Sequence, residues 1–262
     1  MTRLLATCLL WLGSSLLAED LDIFLLVGQS NMAGRGTVEP QDKWVVDSIL
    51  TFNKEGKWVP ARDPLHWDKP SAGVGLGRSF AKEILKARPG RRIGLVPCAV
   101  GGSAIDSWVP GGWHEQTKSH PWDEAIKRAH LALKDGRLAG ILWHQGEADA
   151  SDKLAPAYAA KLASLVQRLR RELASPTAPF ILGQIGFFAD VPANEWMQMV
   201  DLAHRELPSK QRLCQYVSSE GLTHKGDRVH FDSASYRELG RRYAEAWLKT
   251  EAARLRPAQV KP

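Results

Sequence analysis

Ser30 stands in VGQSNMAGRG, where the apolar run LDIFLLV stops and a glycine-punctuated loop begins. A serine hydroxyl becomes a nucleophile only with a base in hydrogen-bond reach and a third group to orient that base. The late segment SSEGLTHKGDRVHF offers both. Asp227 precedes His230 by three residues, so its carboxylate can fold back onto the imidazole Nδ1–H and leave Nε2 free for Ser30. A surface histidine beside a surface aspartate would give the same spacing. Acyl transfer also needs donors for an oxyanion. Backbone N–H groups in AVGGSAI are candidates, because glycine lets a backbone approach a ligand closely. The Ser30 N–H and the side-chain amide of Gln145 in WHQGE are two more. A plain tight turn would equally explain Gly101 and Gly102, and a polar strand end would explain Gln145. The set His224, Asp227, His230 and Asp232 has ligand types that suit zinc, an alternative reading of the same loop.

These residues need elements that bring them together. LDIFLLVG, RRIGLVPCAV, RLAGILWHQG, APFILGQIGF and RLCQYVSS are short apolar runs suited to strands buried on both faces. Between them lie amphipathic stretches with helix signals. VGLGRSFAKEILKARPG carries Leu76, Phe80, Ile84 and Leu85 at helical spacing. PWDEAIKRAHLALKDG opens on Pro121 and stops at Gly136. LAPAYAAKLASLVQRLRRELA sets Leu162, Leu165, Val166 and Leu169 on one face, and NEWMQMVDLAHREL and DSASYRELGRRYAEAWLKT follow, the last with Asp232 as N-cap. VVDSILTFNKEGKWVPA predicts an early hairpin turning at Lys54–Gly56. Strands alternating with helices predict an α/β fold: three layers, α/β/α, around a five-stranded, mostly parallel sheet with a small β-hairpin insertion. In such sheets the working crevice lies beyond the carboxyl ends of the strands, which is where the glycine-rich and polar segments fall.

Hydrophobic residues make up 44% and charged residues 24% of the 262, a globular rather than a disordered balance. MTRLLATCLLWLGSSLLAED reads as a secretory signal peptide, residues 1–18, cleaved after Ala18. Its apolar stretch is shorter than the roughly 20 residues a spanning helix needs, so no stable membrane anchor is expected after cleavage. Residues 19–250 form one expected domain, and 251–262 a loose polar tail. Without Arg3 the chain keeps 34 basic and 29 acidic side chains, a net of +5. The excess is spread over segments such as EILKARPGRR and QRLRREL, without interleaved aromatics, so no nucleic-acid partner is expected. Cys98 and Cys214 have no framework spacing, and small buried thiols are the expected state. No feature of the sequence sets an oligomeric state.

GQSNM after the first strand, VGGSAIDSW after the second, WHQGEAD after the third and DRVHFD before the final helix together resemble the SGNH-hydrolase superfamily. More narrowly, they resemble its sialate O-acetylesterase branch, which includes carbohydrate esterase family six. The likeness runs in order from about residue 21 to about residue 248. It implies the flavodoxin-like SGNH fold and a secreted or periplasmic serine esterase acting on acetylated carbohydrate, acetylxylan-type or O-acetylated sialic acid, with no metal or other cofactor. By that resemblance Ser30 is the nucleophile, His230 the base and Asp227 its orienting acid. Ser30, Gly102 and Gln145 supply the oxyanion hole. Gln29, Asn31 and Glu147 support the site, with Glu147 the competitor to Asp227. Gln145 stands where many members of the superfamily carry asparagine. Trp108 and Trp113, and Trp67 before its loop, are candidates to stack on sugar rings, against the alternative of filling the core. A non-catalytic sugar-binding protein on the same fold would be free to lose the serine, histidine and aspartate. A general small-ester esterase would want an apolar channel.

Overall fold

Strand β1 (Leu21–Gly28) is buried along all eight residues. Its side chains divide between two apolar clusters, Leu21, Ile23, Leu25 and Val27 on one face and Phe24 and Leu26 on the other. That division is the period-two geometry of a strand covered on both faces. Asp22 is the polar exception; it is buried and ion-paired to Arg91 at 2.8 Å and Arg137 at 2.5 Å. The computed structural model describes residues 21–255. The expected signal peptide and its cleavage point at Ala18 lie outside the described residues, as do residues 256–262 of the expected tail.

After β1 come β2 (Ile49–Phe52), β3 (Trp58–Pro60), β4 (Arg92–Pro97), β5 (Arg137–His144), β6 (Phe180–Gly183) and β7 (Cys214–Val217). They form one sheet in the order β3-β2-β4-β1-β5-β6-β7, parallel except for β3. The five expected strands are β1 and β4–β7. The count rises to seven because β2 pairs in parallel with β4, so the hairpin extends the sheet instead of standing apart from it. β2 is buried throughout, which is why this edge could not remain a free insertion.

The helices are α1 (Ser30–Ala33), α2 (Leu76–Ala87), α3 (Pro121–Ala132), α4 (Ala155–Glu172), α5 (Glu195–Lys210) and α6 (Ser233–Leu255). α2 and α6 cover one face through Phe80, Ile84, Leu239, Tyr243 and Trp247. Phe24 meets Phe80 and Trp247 edge-on, at centroid distances of 4.8 and 5.2 Å. α3, α4 and α5 cover the other face through Trp122, Leu162, Leu165, Leu169, Val200 and Leu207. Each such large side chain contributes about 1.5–3 kcal/mol when fully buried. Asp232 caps α6, its Oδ1 accepting the Ser235 N–H at 2.8 Å. α6 continues past Thr250 to Leu255, and Glu251 is buried against Arg254 at 2.6 Å. The first five residues of the expected loose tail are therefore helical. Cys98 and Cys214 are free and buried, and burial pushes both thiols up to about 11. Among the described residues no helix is long and apolar enough to cross a membrane.

From β1 the chain reaches β4 on one side and β5 on the other. The crevice beside β1, where the winding reverses, is where an open α/β sheet presents ligands.

Candidate active site

Gly28 ends β1 at φ +133, and a Cβ there would lie 2.2 Å from the His144 carbonyl oxygen. Glycine thus lets the end of β1 close onto β5, and the Gln29 N–H donates to that same carbonyl at 2.9 Å. The next residue, Ser30, begins the one-turn helix α1. Its Oγ lies 3.0 Å from His230 Nε2, and His230 Nδ1 lies 2.7 Å from Asp227 Oδ2. Asp227 Oδ1 accepts the N–H groups of Val229 at 3.0 Å and His230 at 2.8 Å. The segment carrying both residues folds on itself: the Lys225 N–H donates to the His230 carbonyl and the Asp232 N–H to the Thr223 carbonyl. Gly226 at φ +109 and Arg228 at φ +63 make the turn. That turn carries the carboxylate back across three residues to the ring.

Burial holds the His230 pKa below its ordinary value; Asp227 opposes this, while Arg35 and Lys225 reinforce it. Burial pushes Asp227 up, but the His230 and Val229 hydrogen bonds outweigh it and hold the carboxyl at about 2. An ionised Asp227 thus faces a neutral imidazole near pH 7. With the ring proton on Nδ1, Nε2 presents its lone pair to the serine hydroxyl.

The other sequence-derived candidates divide. Gly102 has φ +84, and among the described residues neither its N–H nor that of Ser30 has an acceptor. Both can donate to a developing oxyanion. Gln145 cannot: it is fully buried, and its amide donates to the Ser103 carbonyl at 3.1 Å and to Asp149. Tyr158 on α4 donates to its Oε1 at 2.9 Å. Asp149 also accepts the Ile105 N–H at 2.9 Å, so Gln145 and Asp149 pin the loop that carries Gly102 instead of supplying a donor. Trp108 is likewise corrected. Its ring is wholly buried edge-on to Trp143, and its Nε1–H donates to Ser103 Oγ at 3.0 Å, so it fills the core. Trp113 is 46% exposed and donates to Glu115 at 2.7 Å. Gln29 accepts the Ala148 N–H at 3.2 Å. Asn31 donates to Glu147 at 2.5 Å and to the Val229 carbonyl at 3.1 Å, and accepts from Tyr236 at 2.7 Å. Asn31 therefore ties α1 to the loop bearing Asp227 and His230. Glu147 contacts Asn31 and makes no hydrogen bond to His230, and burial raises its pKa.

Several participants have no local sequence signal. Arg35 makes a buried two-pronged pair with Asp68, at 2.6 and 3.3 Å, and Asp68 Oδ2 accepts the Gly101 N–H at 2.8 Å. Arg35 sits between two glycines directly after the serine motif, the one trace visible beforehand. His224 does not join Asp227, His230 and Asp232 around a cation. Its Nε2 lies 2.9 Å from Asp190 Oδ2, and its Nδ1 accepts the Gly226 N–H at 2.9 Å. Asp232 bonds Thr223 and Ser235. Among the described residues no group of His, Cys, Asp and Glu is placed to hold a metal ion.

Residues 20–249 match the family described as carbohydrate esterase, sialic acid-specific acetylesterase. A protein of Arabidopsis thaliana named a probable carbohydrate esterase is 33% identical over 247 residues, spanning 86% of this chain and 90% of its own length. The X-ray structure of that protein superposes with TM-score 0.77 at 32% identity, over 88% of this chain and 99% of that one. Two more distant structures share the fold. NanS has TM-score 0.69 at 18% identity over 90% of this chain and 99% of its own. A carbohydrate acetylesterase from Xanthomonas citri has TM-score 0.69 at 22% identity over 88% of this chain and 57% of its own.

Proposed function

Since the chain belongs to the carbohydrate esterase, sialic acid-specific acetylesterase family, and so is an esterase of carbohydrate esters, we propose that it is an exported serine hydrolase that removes O-acetyl groups from sugars through an acetyl-serine intermediate. The observation that carries this reading is the unbroken line from Ser30 Oγ through His230 to Asp227. Ser30 Oγ attacks the ester carbonyl carbon while His230 Nε2 takes its proton. The oxyanion is held by the Ser30 and Gly102 N–H groups, each such donor worth about 3 kcal/mol of barrier. The acyl C–O bond to the sugar breaks, and the departing alkoxide takes the proton from His230. Water then attacks the acetyl-serine, giving its proton to His230. Acetate leaves, and the proton returns to Ser30 Oγ.

The substrate classes are acetylxylan-type sugars and O-acetylated sialic acids. Acetate release from p-nitrophenyl acetate, acetylated xylan and O-acetylated sialic acid tests the reading in wild type and Ser30→Ala. Wild type is expected to act on at least one carbohydrate ester, and Ser30→Ala to lose about 10³-fold or more in kcat. Full activity in Ser30→Ala would remove the serine mechanism. Export rests on residues 1–18; a mature N-terminus at Glu19 in secreted material is the expected result, and an intact Met1 would overturn it.

A further inference from the structure

A cavity of about 460 Å³ lies between the β2–β3 hairpin, the end of β4 and α3. Ser30 does not line it, but Ala99 and Val100, which lead into the Gly101 loop, do. Asp68 lines the cavity and accepts the Gly101 N–H at 2.8 Å. On the adjoining loop Thr117 lines the cavity, while its neighbour Gln116 stands over Gly102: a Cβ there would meet Gln116 Oε1 at 2.7 Å. The volume is within the range of small-molecule sites, about 300–1,000 Å³.

The wall is built for a polar ligand with a flat apolar side. Trp67 is 40% exposed at the cavity, and the Arg128 guanidinium lies 4.6 Å from its ring centroid. Arg128 is itself fixed by the carbonyls of Pro97, Asn53 and Phe52 at 3.0, 3.2 and 2.5 Å. The indole is thus a partly open platform backed by a fixed guanidinium. Beside it, His66 is 4% exposed, its ring nitrogens closed off from the open space of the cavity. Burial holds the ring neutral, its pKa down at about 4. Lys54, Thr117 and Ser119 add further polar groups around the rim.

We propose that this cavity is a carbohydrate subsite that holds the sugar unit next to the acetylated one, stacked on Trp67 and hydrogen-bonded by the polar rim of Lys54, Thr117 and Ser119. This rests on the carbohydrate-ester reading above and adds that the protein prefers oligosaccharides to single sugars. The test compares kcat/KM for acetylated xylotetraose, an acetylated methyl xyloside and p-nitrophenyl acetate in wild type, Trp67→Ala and Leu131→Trp. Leu131 is an exposed α3 residue on the cavity wall, so its replacement fills the space without disturbing the core, and thermal melts verify folding of both variants. Wild type is expected to favour the oligomer over the monosaccharide by about tenfold, and either substitution to bring that ratio close to one. An equal rate on both sugars in wild type, or a ratio that survives both substitutions, overturns the subsite. Cleavage of p-nitrophenyl acetate with no action on any carbohydrate ester overturns the carbohydrate reading, and the subsite with it.

Discussion

Asp227 and Glu147 are two carboxyl groups near one serine, and their surroundings give them opposite characters. Asp227 accepts two backbone N–H groups and the imidazole, and is held at about 2. Glu147 is pushed up by burial, gives one oxygen to Asn31 and has no partner on the other. Asp227→Asn should lower kcat by about 10⁴-fold, because an amide at Nδ1 favours the wrong tautomer of the base. Glu147→Gln removes at most one positional hydrogen bond and should cost about tenfold or less. Equal losses in steady-state kinetics would reverse the assignment. The state of His230 also sets the pH profile. Its pKa lies below 6.5 in the folded protein, and only the neutral ring can accept the Ser30 proton. kcat/KM should therefore be flat near neutrality and fall as pH drops through a value under 6.5. An acidic limb centred above 7 would contradict the burial described for the ring.

At the scale of elements, the segment from Thr223 to Asp232 is held by its own ladder and by outside contacts that include Asn31 to the Val229 carbonyl and His224 to Asp190. Because His224 Nδ1 accepts the Gly226 N–H, its proton is on Nε2 and donates to Asp190. His224→Leu should loosen the turn that presents Asp227 and His230, lowering kcat about tenfold with little change in KM, and His224→Asn should restore part of it. A KM effect without a kcat effect would place His224 in substrate binding. The strands and helices themselves were legible in advance because hydrophobic period and end signals are local: β1, α2, α4 and the Asp232 cap all follow from their own residues. The direction of Gln145 was not. It is set by Tyr158 on α4 and by Asp149, and nothing in WHQGE reveals that its amide turns inward. Trp108 likewise fills the core because Trp143 and Ser103 receive it. The β2–β3 hairpin was visible as a hairpin, but its pairing with β4 depends on an edge some 40 residues away. The association of Ser30, His230 and Asp227, by contrast, could be read from motif order at the strand ends, and they lie within hydrogen-bond distance, whereas the Arg35–Asp68 brace of the Gly101 loop joins two segments with no shared motif.

For the whole molecule, buried histidines link the core to acidity. Burial holds His66 at about 4 and His144 and His204 at about 3. In the unfolded chain each takes a proton near 6.5, whereas the folded protein resists it, so stability falls as pH drops below 6.5 toward the folded values. At pH 5 each can cost up to about 2 kcal/mol. The urea midpoint should drop clearly between pH 7.5 and pH 5, and a midpoint unchanged over that range would show that these rings are not buried neutral. Measuring both unfolding and kcat/KM separates this global loss from the titration of His230 alone.

Ser30 follows the first strand of the sheet, and the imidazole hydrogen-bonded to it lies 200 residues further along the chain. Asn31 is gripped by Tyr236, in the last helix, and Ser233 at the start of that helix donates to the Thr37 carbonyl at 2.7 Å. On the proposed mechanism the serine therefore leaves the ribosome long before its base, and a chain that ends before His230 is expected to be silent toward esters. The same mechanism makes ester cleavage a readout that translation passed His230 and that the last helix, which grips Asn31 through Tyr236, found its place.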